Sequence, residues 1–243
     1  MFAAAVELAA AGCTLIQYRN KLGNARVMLE QARELRLRFG LYSSSSRRHP
    51  EGPRFHLRAE GSRAYRPCLR PSRDPSLRLK NGYARDDAME GEVSQIQTDA
   101  ASVRLIMNDR ADLCLAADFD GVHVGQEDLS PESVRRIIGP DRWLGVSTHN
   151  PEQLRDADLT SADYLAIGPV FATSSKENPD PVVGLEGVRR ARVVTRKPLV
   201  AIGGITRANA ASVIEAGADS VAVISDLLRE PGKSAEEFFR ILR

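Results

Sequence analysis

From Val103 to the end of the chain, apolar positions follow two alternating patterns. Short β-branched runs at Val103–Asn108, Gly121–Val124, Trp143–Ser147, Tyr164–Gly168, Leu199–Gly203 and Ser220–Ser225 predict strands. Amphipathic stretches near Asp109–Ala117, Pro131–Ile138, Pro151–Leu159, Glu186–Thr195, Arg207–Ala216 and Ala235–Leu242 predict the helices between them. Pro131 and Pro151 occupy first-turn positions, and Gly139 and Gly217 follow helices as caps. Upstream, Thr14–Tyr18 reads as a seventh strand between helices Phe2–Ala11 and Ala25–Arg38. Strands separated by helices of this length form βαβ units with right-handed crossovers, hence a parallel sheet. The expected fold class is α/β, a TIM (β/α)8-type barrel with seven readable strands and the first strand missing. Without that strand, the runs at Thr14 and Ser220 are expected to present open edges, which predicts an aggregation-prone, poorly closed barrel.

The pattern lapses between about Gly40 and Ala101. This segment holds four consecutive serines (Ser43–Ser46) and five prolines from Pro50 to Pro75, without a sustained period of 2 or 3.6. It reads as an irregular, disordered insertion in a single barrel domain spanning 1–243, or as sequence standing in for a short loop.

Composition narrows the picture further. A chain of 243 residues fits one barrel, and no apolar run approaches the roughly 18 residues that cross a bilayer. Met1–Ala11 is apolar but has no basic flank and contains Glu7, so it reads as a helix rather than a signal peptide. The net charge is +2, yet residues 43–85 alone carry eleven Lys/Arg against three Asp/Glu. The basic character therefore belongs to the insertion, and no nucleic-acid partner is expected of the barrel. Cys13, Cys68 and Cys114 lack metal-ligand spacing, and the four histidines are scattered. A cytoplasmic protein with reduced thiols is expected.

In this fold the chemistry sits at the C-terminal ends of strands, and phosphate is often held by the last two loops. The penultimate strand ends Ala201-Ile202-Gly203-Gly204-Ile205, and the last ends Val223-Ile224-Ser225. A glycine pair lets backbone N–H groups approach an anion, and Ser225 is expected to open a helix whose N-terminus favours negative charge; the pair alone could equally make a tight turn. Gln17, Arg19 and Lys21 fall on one side of an extended strand end, an amide and two cations suited to an anion, though a rim arginine is also a common ion-pair partner. Asp109 and Asp128 follow neighbouring strands, so both carboxylates should meet at the same face. Two carboxylates beside a phosphate are a Mg²⁺ arrangement, with helix or loop capping as the alternative for each. Gly168–Lys176 is a hydroxyl-rich loop closed by a lysine, suited to a phosphate ester or simply to solvent. His149 is expected to be structural rather than a base.

Taken in order, these motifs resemble the thiamine-phosphate synthase family. They are Gln17-x-Arg19-x-Lys21, Asn108-Asp109-Arg110, His123-Val-Gly-Gln-Glu-Asp128-Leu129, Ser147-Thr-His149, Gly168-Pro-Val-Phe-x-Thr173-x-x-Lys176, Ala201-Ile-Gly-Gly-Ile205 and Ile224-Ser225. The resemblance covers Phe2–Arg38 and Val103–Arg243. It implies coupling of 4-amino-2-methyl-5-hydroxymethylpyrimidine diphosphate to 4-methyl-5-(2-phosphoethyl)thiazole, with release of pyrophosphate. By motif, Gln17, Tyr18, Arg19, Asn20, Lys21, Asn108 and Lys176 would hold the pyrimidine diphosphate, with Ser147 close to the pyrimidine. Asp109 and Asp128 would ligate Mg²⁺. Thr173, Ser174 and Ser175, with the backbone at Gly204, Ile224 and Ser225, would hold the thiazole phosphate. Arg19, Lys21, Ser147 and Lys176 form the implied catalytic set. A thiazole tautomerase-like relative, another phosphate-binding barrel and a degenerate non-catalytic barrel are the competing readings. Oligomeric state is left open.

Overall fold

The computed structural model describes residues 1–21, 23–40, 103–173 and 180–242. The expected insertion lies outside the described residues past Gly40, as do Cys68, Ser174, Ser175 and Lys176. The elements in order are α1 (Phe2–Ala10), β1 (Leu15–Tyr18), α2 (Ala25–Phe39), β2 (Arg104–Asn108), α3 (Ala111–Ala116), β3 (Gly121–Val124), α4 (Pro131–Ile138) and β4 (Trp143–Thr148). There follow α5 (Pro151–Asp158), β5 (Tyr164–Ile167), α6 (Gly184–Val194), β6 (Leu199–Ile202), α7 (Ala210–Glu215), β7 (Ser220–Ala222) and α8 (Pro231–Ile241). The seven strands form one parallel sheet in sequence order, β1 to β7. Among the described residues β1 and β7 are its two edges, as the sequence pattern expects.

Strand alternation sorts side chains between two compartments. Leu105, Met107, Val122, Val124, Leu144, Val146, Leu165, Ile167, Leu199 and Ala201 join helix residues such as Leu35, Leu113, Val134, Leu154, Val188 and Val213 in one continuous core between sheet and helices. The intervening residues line the other face. There Arg104 of β2 stacks over Trp143 of β4, 4.8 Å from the ring centroid. His123 of β3 meets Tyr164 of β5. Both contacts pass over a glycine on the strand between. A Cβ on Gly121 would lie 2.3 Å from the Trp143 carbonyl oxygen, and one on Gly145 2.1 Å from the Tyr164 ring. The inward face is thus filled by alternating large and absent side chains, the packing rule of small barrels.

The N-terminal ends of the strands carry a device repeated three times. An aspartate just before one strand exchanges bonds with the preceding strand, its N–H donating to a carbonyl and its carboxylate accepting that residue's N–H. The pairs are Asp120 with Leu105, Asp163 with Leu144 and Asp219 with Leu199. An arginine from the intervening helix layer completes each clamp. Arg36, Arg135 and Arg192 approach these carboxylates at 2.8, 2.6 and 2.6 Å. Other N–H groups of these guanidinium groups donate to carbonyls at the helix-to-strand connection: Gly40 for the first, Gly139 and Arg142 for the second, Thr195 and Lys197 for the third.

β1 ends at Tyr18, as the sequence pattern has it; Asn20 turns the chain there by accepting the Gly23 N–H, so Arg19 and Lys21 do not extend the strand. Two other segments differ from the sequence pattern for identifiable reasons. α3 begins at Ala111 rather than Asp109, whose φ of 63° is left-handed and incompatible with a helix. Finally, β7 ends at Ala222 and α8 begins at Pro231, so Ser225 opens a run of turns and not a helix. There the Asp226 carboxylate pairs with Arg207 of the neighbouring loop. Cys13 and Cys114 are free thiols; Cys114 is buried against the Phe119 and Gly121 carbonyls.

Candidate active site

The C-terminal strand ends converge on a cluster of opposite charges. Asp109 follows β2 and Asp128 lies in the loop after β3, held there by accepting the Gly125 N–H at 2.7 Å. The Asp109 carboxyl is pushed up to about 6, first by burial, then by the facing Asp128 charge and a hydrogen bond with it. Lys21 and Arg19 pull in the opposite direction, so both cations from the β1 end lie within electrostatic range of the pair. The helix-cap alternative for Asp109 is absent: Arg110 stands at the N-cap of α3 without a side-chain capping bond. Among the described residues no group of three His, Cys, Asp or Glu side chains converges. The carboxylate pair is therefore a two-oxygen-donor arrangement that would need ligand oxygens to complete an ion's shell.

Gln17 points into the inward face and donates to the Asn108 side-chain oxygen at 2.7 Å. Tyr18 points the other way. Its hydroxyl donates to Gln31 of α2 and its ring meets Phe119 edge-on, leaving only backbone at the mouth. Asn20 likewise spends its side chain on Gln31 and Gly23.

Ser147, at the end of β4, sits in a buried polar network that motif reading passed over. His123 Nε2 lies 2.8 Å from its Oγ, and His123 Nδ1 lies 3.0 Å from the Tyr164 hydroxyl. Burial drives His123 down to about 4, so the imidazole is neutral, and burial raises Tyr164 well above the usual phenol range. Gln126 adds a bond to the Ser147 carbonyl at 2.6 Å. The signal was present in the sequence: strand alternation puts His123, Gly145, Ser147 and Tyr164 on the inward face, where an uncovered polar group is costly. His149 Nδ1 lies 2.5 Å from the Gly168 carbonyl, its Nε2 lies 3.4 Å from the Asp180 carboxylate, and its backbone N–H donates to Gln153.

At the far side of the mouth, Gly203 and Gly204 have φ of 86° and 67°. A Cβ on Gly203 would strike Pro169, and one on Gly204 would lie 2.6 Å from the Ala172 carbonyl oxygen. The pair therefore makes a tight turn and also packs under the loop after β5, to which Ile202 and Gly203 bond through Val170 and Phe171. Thr173 lies in that loop, and Ile224 and Ser225 are exposed in the neighbouring turn after β7. Ser174, Ser175 and Lys176 are outside the described residues. The mouth thus joins an acidic pair beside two cations to a glycine turn beside hydroxyls, an arrangement for two anionic groups.

A family model described as thiamine monophosphate synthase matches residues 76–227. The thiamine-phosphate synthase of Koribacter versatilis is 48% identical over 238 residues, covering 98% of this chain and 84% of that protein. That of Roseiflexus sp. is 48% identical over 159 residues, 65% of this chain and 67% of the relative. The solved thiamine phosphate pyrophosphorylase of Pyrococcus furiosus superposes with a TM-score of 0.67 at 26% identity, covering 99% of this chain and 88% of that one. Phosphoribosyl anthranilate isomerase of Thermotoga maritima, 14% identical with a TM-score of 0.55, covers 100% of this chain and 94% of its own and is a likeness of fold alone.

Proposed function

This chain belongs to the thiamine monophosphate synthase family, and from that premise we propose that it is a transferase joining 4-amino-2-methyl-5-hydroxymethylpyrimidine diphosphate to 4-methyl-5-(2-phosphoethyl)thiazole. The products are thiamine phosphate and pyrophosphate. The observation that carries the site assignment is the Asp109–Asp128 pair facing Arg19 and Lys21.

In this reading the bond from the pyrimidinylmethyl carbon to the bridging oxygen breaks with its electrons leaving on pyrophosphate. The thiazole nitrogen then closes the new C–N bond with its lone pair. No side-chain nucleophile is needed, so catalysis rests on positioning and on stabilising the departing charge. Arg19 and Lys21 supply positive charge at the diphosphate, joined by Lys176. Gln17 and Asn108, already bonded to each other, orient the pyrimidine end. Ser147 presents its hydroxyl to the ring from the His123 network. Thr173, Ser174, Ser175 and the backbone at Gly204, Ile224 and Ser225 hold the thiazole phosphate.

The donor set fits Mg²⁺: two facing carboxylates, the Asp109 one raised to about 6 by burial and by the Asp128 charge, offer oxygen ligands whose repulsion a divalent cation would relieve. Asp109 and Asp128 would hold the ion, which when bound neutralises diphosphate charge. No described helix is long and apolar enough to cross a membrane, and a cytoplasmic location is proposed with the biosynthetic role. The test is a pyrophosphate-release assay with both substrates. Release should require the thiazole phosphate and Mg²⁺, and thiamine phosphate formed at full rate in excess chelator would overturn the metal assignment.

A further inference from the structure

β7 has three residues and, among the described residues, no strand on its outer side. Among the described residues the turn after it is held from the β6 side and from α8. Arg207, three residues past Gly204, performs both tasks. Its backbone N–H and Nε donate to Asp226 Oδ2 at 2.9 and 3.0 Å, and its Nη2 donates to Oδ1 at 3.1 Å. Its Nη1 reaches Glu237 of α8. At the other end of the same loop, Asn209 donates to the Gly204 carbonyl and accepts the Thr206 N–H. Gly204 is thus tied rigidly to Arg207, Arg207 is forked onto Asp226, and Asp226 is the residue after Ser225.

We propose that Arg207 and Asp226 are positioning residues for the phosphate of the thiazole substrate, fixing the Gly204 turn and the Ile224–Ser225 turn at one separation. The inference rests on the proposed reading that these two turns hold that phosphate. A planar fork onto a carboxylate sets distance and angle together, which a lysine at 207 cannot reproduce. An anion held by backbone N–H groups from two loops depends on that separation to a fraction of an ångström.

The test uses the full chain with Arg207→Lys, Asp226→Asn and the double variant. Each substrate is varied in steady-state assays, and thiazole phosphate binding is measured by calorimetry. Each single variant should raise KM for the thiazole phosphate about tenfold and weaken its binding equally, with KM for the pyrimidine diphosphate changed by less than about twofold. The double variant should be no worse than either single one, because one clamp is being removed. Equal shifts in both KM values, or a lowered melting temperature with unchanged KM, would overturn the proposal in favour of a purely structural link to α8. Protein that forms no thiamine phosphate, yet binds the thiazole phosphate more weakly in the variants, would sink the reaction and keep the clamp. Wild-type protein that binds no thiazole phosphate would overturn both.

Discussion

His123 Nε2 lies 2.8 Å from the Ser147 hydroxyl, and that bond is set from behind by Tyr164. A neutral imidazole has one donor and one acceptor nitrogen. The two bonds are therefore coupled: when Tyr164 donates to Nδ1 the proton resides on Nε2 and is given to Ser147, freeing the Ser147 hydroxyl hydrogen for the substrate, and when Nδ1 carries the proton Nε2 accepts from Ser147. Tyr164→Phe removes only the oxygen hydrogen-bonded to Nδ1 and so uncouples the tautomer from the Ser147 bond. Turnover should fall about tenfold, and Tyr164→Phe/Ser147→Ala should be no slower than Ser147→Ala alone. Additive losses in that cycle would separate the two residues.

The same histidine predicts an acid limit to stability. Burial holds its folded-state value at about 4, below the ordinary 6.5. Between those values the unfolded chain takes up a proton that the folded chain refuses, so stability is full above about 6.5 and declines as pH falls toward 4. One such group contributes a slope of about 1.4 kcal/mol per pH unit in that window. Urea midpoints at pH 7 and 5 should diverge less in His123→Gln than in the wild type.

Asp109 shows the opposite balance of function and stability. Its carboxyl is raised from 3.8 to about 6, so the ionised form is disfavoured on folding and stability falls as pH rises through that interval. Asp109→Asn should therefore raise the melting temperature of metal-free protein at pH 7 while lowering turnover by about a hundredfold or more. Asp128→Asn should lower turnover similarly, but its carboxylate also secures the Gly125 N–H, so no thermal gain is expected there. A destabilised Asp109→Asn protein would mean that the carboxylate is needed for packing.

Replacing residues 42–101 by a four-residue link should leave both KM values unchanged and raise stability by about 2 kcal/mol at most, the closure entropy of the longer loop. The clamps supply the reason. The Arg135–Asp163 and Arg192–Asp219 pairs are 28 and 27 residues apart, whereas Arg36–Asp120 spans 84 with the same geometry. Thermal melts of the shortened protein decide the matter, a large drop meaning that the removed residues contribute packing.

Much of this was legible from periodicity. The runs at Gly121–Val124 and Pro131–Ile138 became β3 and α4 with the same boundaries, because each is bounded by residues with unambiguous roles, Pro131 at the first turn and Gly139 at the cap. Periodicity failed after β7. The helix expected at Ser225 is a run of turns, with the neighbouring Asp226 held on Arg207. The acidic pair was legible because both residues follow strand ends; alternation likewise places His123 and Tyr164 inward, but their contact with each other is not written in either segment. It depends on Gly145 lying between them, a relation between three strands that no single segment displays.

The clamps also determine what kinds of connection the chain tolerates. Arg135 and Arg192 each bond carbonyls at the departing and returning ends of a helix-to-strand connection and the aspartate beyond, and Arg36 bonds the departing end at Gly40 and its aspartate. Any connection whose ends return to the guanidinium satisfies the fold, whatever passenger it carries. These ports lie at the N-terminal ends of the strands, and Asp109, Asp128 and Ser147 lie at the C-terminal ends. Cargo spliced at residues 139–142 or 195–198 would thus be invisible to the chemistry, provided Arg135 or Arg192 still finds its carbonyls.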